Sequence, residues 1–208
     1  IIDRFFEQLI KEGVDAVVNL GAGLDTRPYR MNLPENLEWI EVDYPNIIEH
    51  KTEILQSEKP KCKLTRIEGD LSIAEKRREI FSSIVPNAKK VLILTEGVIP
   101  YLNPQQVADL SEDLMDQQRF TYWITEYFHP KVYKPLKSAA RTSRMKNAPF
   151  KFYPENWFGF FKNLGWVKKE IHYNGEIAVE FNRTPPMPAW ARLIISILKE
   201  KNSDGIKK

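Results

Sequence analysis

The residue pattern best suited to bind a ligand is a glycine turn that follows a short apolar run. Residues 17–20 read Val-Val-Asn-Leu and lead directly into Gly21-Ala22-Gly23. Glycine has no Cβ and tolerates positive φ, so such a turn lets a ligand approach the backbone closely. Further along the chain a second apolar run ends in Asp43. A glycine turn after one strand and a carboxylate closing the next is how α/β folds bind a nucleoside.

The same turn indicates which kind of nucleoside it suits. Thr26 stands where a dinucleotide-binding turn has its third glycine, and Pro28 follows it closely. Because proline is tolerated only near a helix start, we expect no long helix directly behind Gly23 to offer its N-terminus to a pyrophosphate. The pattern therefore favours a nucleoside without phosphates, such as S-adenosylmethionine, over NAD or FAD. A tight glycine turn that binds no ligand is the alternative.

Acidic side chains also close the next three predicted strands, at the ends where open α/β sheets bind ligands. Asp43 closes the second strand and can accept hydrogen bonds from both ribose hydroxyls. Asp70 closes the third strand and can accept from an adenine amino group beside the apolar Leu71. Glu96 closes the fourth strand and suits the cationic amine and sulfonium of the methionyl group. The alternative for Asp43 and Asp70 is that each caps the helix that follows it.

Hydrophobic patterning predicts the strands and helices that carry these residues. Strands are predicted at residues 16–21, 39–43, 64–67, 91–94, 120–128, 166–172 and 176–181, with helices at 3–11, 73–84 and 154–164. Another helix follows Pro45, and one more begins at Asn103, whose spacing to Gln106 predicts a capping box around Pro104. The first five strands alternate with helices and should be parallel, whereas a Tyr-Asn-Gly turn should join the last two as an antiparallel hairpin.

This order of elements predicts an α/β fold of the class I methyltransferase, Rossmann-like type. Its sheet should be mostly parallel and end in the antiparallel hairpin. We expect a single domain over residues 1–201, with residues 129–154 inserted as a lid over the acceptor site and a frayed tail at 202–208. Because the chain starts at Ile1 rather than at a methionine, we also expect the natural protein to extend further upstream.

The composition is that of an ordinary globular protein, and it excludes several functional classes. Of the 208 residues, 42% are hydrophobic, and the net charge of +3 is too small by itself to indicate nucleic-acid binding. The single cysteine, Cys62, excludes a disulfide framework and a multi-cysteine zinc site, so we expect no metal. The apolar run at 193–198 is far shorter than the ~18 residues of a membrane span. We therefore expect a cytoplasmic protein without a membrane partner.

Four segments in order resemble the leucine carboxyl methyltransferase family: LGAGLDTRPYRM, WIEVDYP, GDL and TEGVIPYL. The resemblance extends more weakly through FFKNLGW. It implies binding of S-adenosylmethionine by Gly21, Asp43, Asp70, Leu71 and Glu96, and methyl transfer to an oxygen. It also implies an upstream lysine or arginine that holds the carboxylate of the cofactor, and no match to that segment is visible in this sequence.

The methyl acceptor is expected near the end of the fifth strand. His129 follows that strand, and a histidine suits the role of a general base near neutral pH. Tyr101 and Tyr127 would line the acceptor pocket. The alternative is that His129 only opens the loop before Pro130 and that the tyrosines pack at the rim. A carboxylate acceptor would need no base at all.

A basic segment at residues 129–154 contains seven lysines or arginines and no acid. As a lid it would favour an anionic acceptor, with Arg141 and Arg144 as the residues expected to contact it. A solvated helix face is the alternative. A nucleic-acid surface would have the same composition, but the small net charge disfavours it.

Three hypotheses about function remain open at this point. The first is an O-methyltransferase that acts on a small-molecule or protein-carboxylate acceptor. The second is a non-catalytic nucleoside-binding module of the same fold, which the unmatched upstream cation favours. The third is an NAD-linked oxidoreductase, which Thr26 and the predicted hairpin disfavour.

Overall fold

A computed structural model of the protein describes residues 1–131, residue 133 and residues 148–173. The elements in these ranges are α1 (Ile2–Lys11), β1 (Ala16–Leu20), α2 (Arg27–Arg30), β2 (Glu38–Asp43), α3 (Pro45–Ile54), β3 (Lys63–Glu68), α4 (Ala74–Ser83), β4 (Val91–Thr95), a 3₁₀ turn (Ile99–Tyr101), α5 (Pro104–Met115), β5 (Phe120–Thr125) and α6 (Trp157–Asn163). None of the described helices is both long and apolar enough to cross a lipid bilayer.

The chain divides into two compact units. One is Ile2–Lys168, and the other is Ile1 together with Lys169–Lys208, which is described only at residues 1 and 169–173. The expected single domain over residues 1–201 therefore stays a prediction, and the expected frayed tail at 202–208 lies outside the described residues.

The five strands form one parallel sheet in the order β3-β2-β1-β4-β5. Because β1 pairs with β2 on one side and with β4 on the other, the direction in which strands are added reverses between β1 and β4. Ligands of open α/β sheets bind outside the carboxyl ends of the strands at such a reversal. Gly21 follows β1 and Glu96 follows β4, so these two residues lie on either side of the crevice.

Alternate strand residues face two hydrophobic layers, one on each side of the sheet. On one side, Val17 and Trp39 pack towards α1, where Phe6 stacks on Trp39 with ring centroids 5.0 Å apart. On the other side, Val18 belongs to the layer that contains the apolar faces of α4, α5 and α6. The strands β1 and β4 are buried along their whole length. This two-sided burial explains why both read as continuous apolar runs in the sequence.

The start of α5 is as predicted. Asn103 Oδ1 accepts a hydrogen bond from the Gln106 N–H at 2.9 Å, and Gln106 Oε1 accepts one from the Asn103 N–H at 2.9 Å. Pro104 is the first helical residue. The capping box therefore fixes the chain direction immediately after the turn that closes β4.

The prediction of a terminal antiparallel hairpin is wrong. Every pair of described strands is parallel, and residues 166–172 form no strand. The predicted partner strand at 176–181 lies outside the described residues. Neither set of alternate residues in 166–172 is apolar, because the charged residues 168–170 interrupt both. Val167 is 85% exposed, so this segment would bury no face by forming a strand.

Candidate functional site

The glycine turn is held against the end of β2 by backbone hydrogen bonds. The N–H groups of Gly21 and Ala22 both donate to Val42 O, at 2.8 and 3.3 Å. Gly21 and Gly23 have φ values of +69° and +46°, in the left-handed region. The Gly23 N–H donates to Asp43 Oδ2 at 2.7 Å, and Tyr44 N–H donates to Asp43 Oδ1 at 2.7 Å. The predicted glycine and acid are thus in direct contact.

Asp70 lies next to this pair through Tyr44. Burial, followed by the charge of the nearby Asp70, raises the pKa of the Tyr44 phenol. Asp70 Oδ1 accepts from the Ser72 N–H at 2.9 Å and from Ser72 Oγ at 2.6 Å. These Ser72 contacts are the main reason why the pKa of Asp70 is lowered. Asp70 shapes the loop before α4, and the N-cap position of that helix belongs to Ile73.

Leu71 is fixed beside Asp70 by a buried arginine of α4. Arg77 Nη1 donates to Leu71 O at 2.8 Å, and Arg77 Nε donates to Asp113 Oδ2 of α5 at 2.7 Å. The Leu71 side chain packs against the hydrophobic layer of α4 and α5. The loop that carries Asp70 and Leu71 is therefore held on two sides.

Glu96 is positioned by a guanidinium that contacts three carboxylates. Arg27 is 8% exposed and donates to Asp3 Oδ1 at 2.8 Å, to Asp25 Oδ2 at 2.7 Å and to Glu96 Oε2 at 2.9 Å. Burial alone would lower the pKa of Arg27, but the bonds with Asp3 and Asp25 reverse this effect and raise it. Because its donors are directed at these acids, Arg27 is not placed to hold a carboxylate of a ligand.

Asn19 completes this network from within β1. Asn19 Nδ2 donates to Asp25 Oδ2 at 2.9 Å, and Asp25 Oδ1 accepts from the Arg27 N–H at 2.9 Å. Asn19 is a buried polar residue in a strand whose other side chains are apolar. Through Asn19, β1 therefore anchors the segment between the glycine turn and α2 at Asp25.

A further acid, Glu126, follows β5 directly. Glu126 Oε1 accepts from the Val98 N–H at 3.1 Å, and Thr125 Oγ1 donates to Glu126 Oε2 at 3.4 Å. Burial raises the pKa of Glu126 to about 7, although hydrogen bonds from backbone N–H groups, including those of Gly97 and Val98, oppose this shift. Among the acids at the ends of the described strands, Glu126 is therefore the most strongly desolvated.

Replacing Glu126 with glutamine should stabilise the protein above neutral pH. The pKa of Glu126 is about 7 in the folded protein against an ordinary value of 4.5. Between these pH values the folded state keeps a proton that the unfolded state has lost, so the free energy of unfolding of the wild type falls as the pH rises. The glutamine of E126Q does not titrate, so this loss of unfolding free energy with rising pH is absent in the variant. Relative to the wild type, it should gain up to ~3 kcal/mol between pH 5 and pH 8.

Urea denaturation at the two pH values measures this difference. The matched control is E112Q, which neutralises an exposed glutamate of α5. A difference between E126Q and the wild type that does not change with pH would contradict the prediction.

Gly21 is the position where the turn tolerates a side chain least. A Cβ at residue 21 would lie 2.5 Å from Val98 Cγ2, whereas no described atom lies within 4 Å of a Cβ at Gly23. Both residues have positive φ, so G23A measures the backbone strain alone. We expect G23A to lose about 1 kcal/mol of unfolding free energy and G21A about 2–4 kcal/mol. Equal losses in urea denaturation would show that Val98 moves aside without cost.

The residues predicted for the acceptor side lie beyond the ends of β4 and β5. Tyr101 is half-exposed in the 3₁₀ turn and contacts Phe150 edge-on, with ring centroids 5.1 Å apart. Tyr127 contacts Phe158 at 4.9 Å and His129 at 6.4 Å between ring centroids. None of these ring contacts involves Gly21, Asp43, Asp70 or Glu96.

His129 is exposed, and its Nδ1 accepts a hydrogen bond from the Lys131 N–H at 3.2 Å. This local contact fits the reading in which His129 opens the loop before Pro130. A role as general base stays a prediction. Arg141 and Arg144 lie outside the described residues, as does most of the expected lid at 129–154.

Sequence reasoning missed Arg27 and Glu126, for two different reasons. The partners of Arg27 lie 24 and 69 residues away in the chain, at Asp3 and Glu96, and no local pattern reveals such pairs. Glu126 could have been predicted in the same way as Asp43 and Asp70, because it also follows the end of a strand. The sequence analysis missed it because the fifth strand was predicted to continue to residue 128, whereas β5 ends at Thr125.

Comparison with known proteins gives a family match over the part of the chain that contains Gly21, Asp43, Asp70 and Glu96. The family model of leucine carboxyl methyltransferases matches residues 1–115. The tetracenomycin polyketide synthesis O-methyltransferase TcmP of Streptomyces glaucescens is 33% identical over 102 residues, which are 49% of this chain and 35% of that protein. A Mycobacterium avium protein named for S-adenosyl-L-methionine-dependent methyltransferase activity is 32% identical over 101 residues, 48% of this chain and 32% of its own length.

The matched region spans only about a third of these curated relatives. Among solved structures, an O-methyltransferase family protein from Burkholderia thailandensis superposes with a TM-score of 0.55 at 12% identity, covering 83% of this chain and 54% of the other. At this identity the likeness concerns the fold alone. It supports a class I, Rossmann-like methyltransferase fold for the parallel sheet described above.

Proposed function

Because this chain belongs to the leucine carboxyl methyltransferase family, we propose that it binds S-adenosylmethionine and transfers the methyl group to an oxygen of an acceptor. The observation that carries the proposal is the contact between the glycine turn and Asp43 at the reversal point of the sheet. The unassigned acceptor is a small molecule or a protein carboxylate.

The Asp43 carboxylate fits the ribose of this cofactor. A carboxylate has about four lone-pair positions, and the N–H groups of Gly23 and Tyr44 use one on each oxygen of Asp43. One acceptor position per oxygen is left, which matches the two vicinal hydroxyls of a ribose. The positive φ of Gly21 and Gly23 lets the backbone turn beneath the ligand without a side chain in the way.

Asp70 and Leu71 fit the adenine in the same way. Ser72 occupies two acceptor positions of Asp70, both on Oδ1, so Oδ2 is left for an exocyclic amino group. The neighbouring Leu71 offers an apolar side chain for the ring. Its backbone carbonyl is held by Arg77, so the loop is arranged before a ligand binds.

Glu96 fits the positively charged methionyl end. Its side chain is half-exposed, and Arg27 contacts only Oε2. Glu96 Oε1 is therefore placed to accept from an ammonium group while Oε2 stays fixed. Arg27 orients Glu96 through this contact, and this is a positioning role.

The alternative dinucleotide is disfavoured by α2. This helix has only four residues, Arg27–Arg30, and begins after Thr26 rather than directly after Gly23. A pyrophosphate site needs helix N–H groups aimed at the phosphates. The predicted hairpin no longer contributes to this argument, whereas the short helix and Thr26 do.

Methyl transfer supplies its own leaving group, because the bound sulfonium cation releases a neutral thioether. The residues of this chain then have to orient the cofactor and exclude water from the acceptor oxygen. A carboxylate acceptor requires no general base, and for a hydroxyl acceptor His129 is our candidate. Arg141 and Arg144 are our candidates for contacts with an anionic acceptor. We further propose a cytoplasmic location, which the single buried thiol of Cys62 supports.

Isothermal titration calorimetry with S-adenosylmethionine, S-adenosylhomocysteine and NAD tests the cofactor assignment. We expect both sulfur nucleosides to bind and NAD not to bind. Failure of both sulfur nucleosides to bind would contradict the proposal. If they bind, a screen of carboxylate and hydroxyl acceptors with methyl-labelled cofactor distinguishes an enzyme from a non-catalytic binding module.

A further inference from the structure

The turn after β4 lies at the centre of the candidate site. Gly97 has a φ of +73°, and the next residue, Val98, places Cγ2 against Gly21 on the opposite side of the crevice. Glu96 directly precedes this turn. A shift of the turn would therefore move both the backbone of Glu96 and the side chain that covers Gly21.

Glu126 is the group that fixes this turn from the neighbouring strand. Its Oε1 accepts from the Val98 N–H at 3.1 Å, and the Gly97 N–H lies near enough to help stabilise the charged carboxylate. No ion pair to Glu126 occurs among the described residues, and its contacts there are backbone N–H groups and the Thr125 hydroxyl. Burying a carboxylate without a cation costs folding free energy. This cost indicates that Glu126 has a function at this position.

We propose that Glu126 is a positioning residue, whose carboxylate holds the Gly97–Val98 turn where Glu96 can receive the methionyl end of the cofactor. This inference rests on the proposed binding of S-adenosylmethionine. Arg27 orients the Glu96 side chain, and Glu126 holds the turn that follows Glu96 through the Val98 N–H, so two contacts act on its position. The proposed ribose and adenine contacts at Asp43 and Asp70 lie at the ends of β2 and β3, on the other side of β1.

Ligands that differ only in their methionyl part separate this role from a general effect on folding. S-adenosylmethionine and S-adenosylhomocysteine carry the amino-acid group, whereas 5′-methylthioadenosine lacks it. E126L should weaken binding of the first two by about 10-fold, the effect of one lost hydrogen bond to a positioned group. Its affinity for 5′-methylthioadenosine should equal that of the wild type. E126Q keeps an acceptor oxygen for the Val98 N–H and should bind all three ligands within about 3-fold of the wild type.

Amide hydrogen exchange gives a readout that does not involve any ligand. The Val98 amide should exchange faster in E126L than in the wild type, whereas the Gly21 amide, which donates to Val42 O, should be unchanged. The inference is overturned if E126L binds S-adenosylmethionine like the wild type, if it loses 5′-methylthioadenosine equally, or if E126Q is as weak as E126L. Failure of the wild type to bind either sulfur nucleoside would instead overturn the proposed function.

Discussion

Replacing Glu41 with glutamine is expected to lower the free energy of unfolding by about 3–5 kcal/mol, because it leaves a charged lysine buried without its counterion. The side chains of Glu41 on β2 and Lys51 on α3 are both fully buried, and Lys51 Nζ lies 2.8 Å from Glu41 Oε1. Arg66 of β3 donates to Glu41 Oε2 at 3.0 Å. One carboxylate therefore joins α3 and two strands.

Burial of the Glu41 carboxylate also affects its pKa. Burial raises the pKa of Glu41, and the charges of Lys51 and Arg66 oppose the shift. The same geometry supports the candidate site, because α3 begins directly after Asp43 and Tyr44. A loosened α3 should therefore also loosen the carboxylate proposed to bind the ribose.

Urea denaturation of E41Q at pH 7 measures the loss. The matched control is E38Q, on the same strand but only partly buried, which should change stability by less than about 0.5 kcal/mol. The double variant E41Q/K51M removes the buried cation as well, so it should recover most of the loss. If E41Q loses less than about 1 kcal/mol, Lys51 cannot be an uncompensated charge in that variant, and the assignment of a buried ion pair would be wrong.

The elements that were predicted correctly from the sequence are those whose side chains are buried in a recognisable pattern. The strands β1 and β4 are buried on both faces. In a chain of alternating strands and helices, their continuous apolar runs therefore indicate central parallel strands. The capping box at Asn103 was equally local, since both partners lie within one turn. The residues at 166–172 have the side-chain types of a strand but no apolar face, and propensity alone gave the wrong result there.

From the sequence, only those site residues that directly follow a strand could be predicted, and most of the contacts between them could not. The contact of Gly23 with Asp43 follows from the parallel pairing of β1 with β2, which the alternation of elements implied. The contact of Arg27 with Glu96 requires knowing how α2 lies against the end of β4. The contact of Glu126 with Val98 depends on where β5 ends, and strand ends are the boundaries that patterning determines least well.

Replacing Asp43 with alanine should weaken binding of S-adenosylhomocysteine by at least about 100-fold. Two hydrogen bonds from ribose hydroxyls to an ionised carboxylate contribute about 1.5–3 kcal/mol each, and every 1.4 kcal/mol is about tenfold in affinity. The asparagine variant keeps one acceptor oxygen and should fall between alanine and the wild type. Calorimetry on the purified variants measures the three affinities.

The matched control is E68A, because Glu68 is an exposed acid that pairs in register with Asp43 at the same edge of the sheet. It removes the same charge and should leave the affinity within about 3-fold of the wild type. A similar loss in E68A would mean that the general negative field matters, rather than contact with the ribose.

Loss of the Asp43 side chain also removes the acceptor of the Gly23 N–H, so a disturbed turn has to be distinguished from lost ribose contacts. A 2′-deoxy analogue of S-adenosylhomocysteine makes this distinction, because it lacks one of the two hydroxyls. If Asp43 binds the ribose, the wild type should prefer the parent ligand over the analogue by about 10-fold or more, and D43A should show little preference. If D43A keeps the full preference of the wild type, the ribose does not contact Asp43, and the role assigned to this residue is wrong.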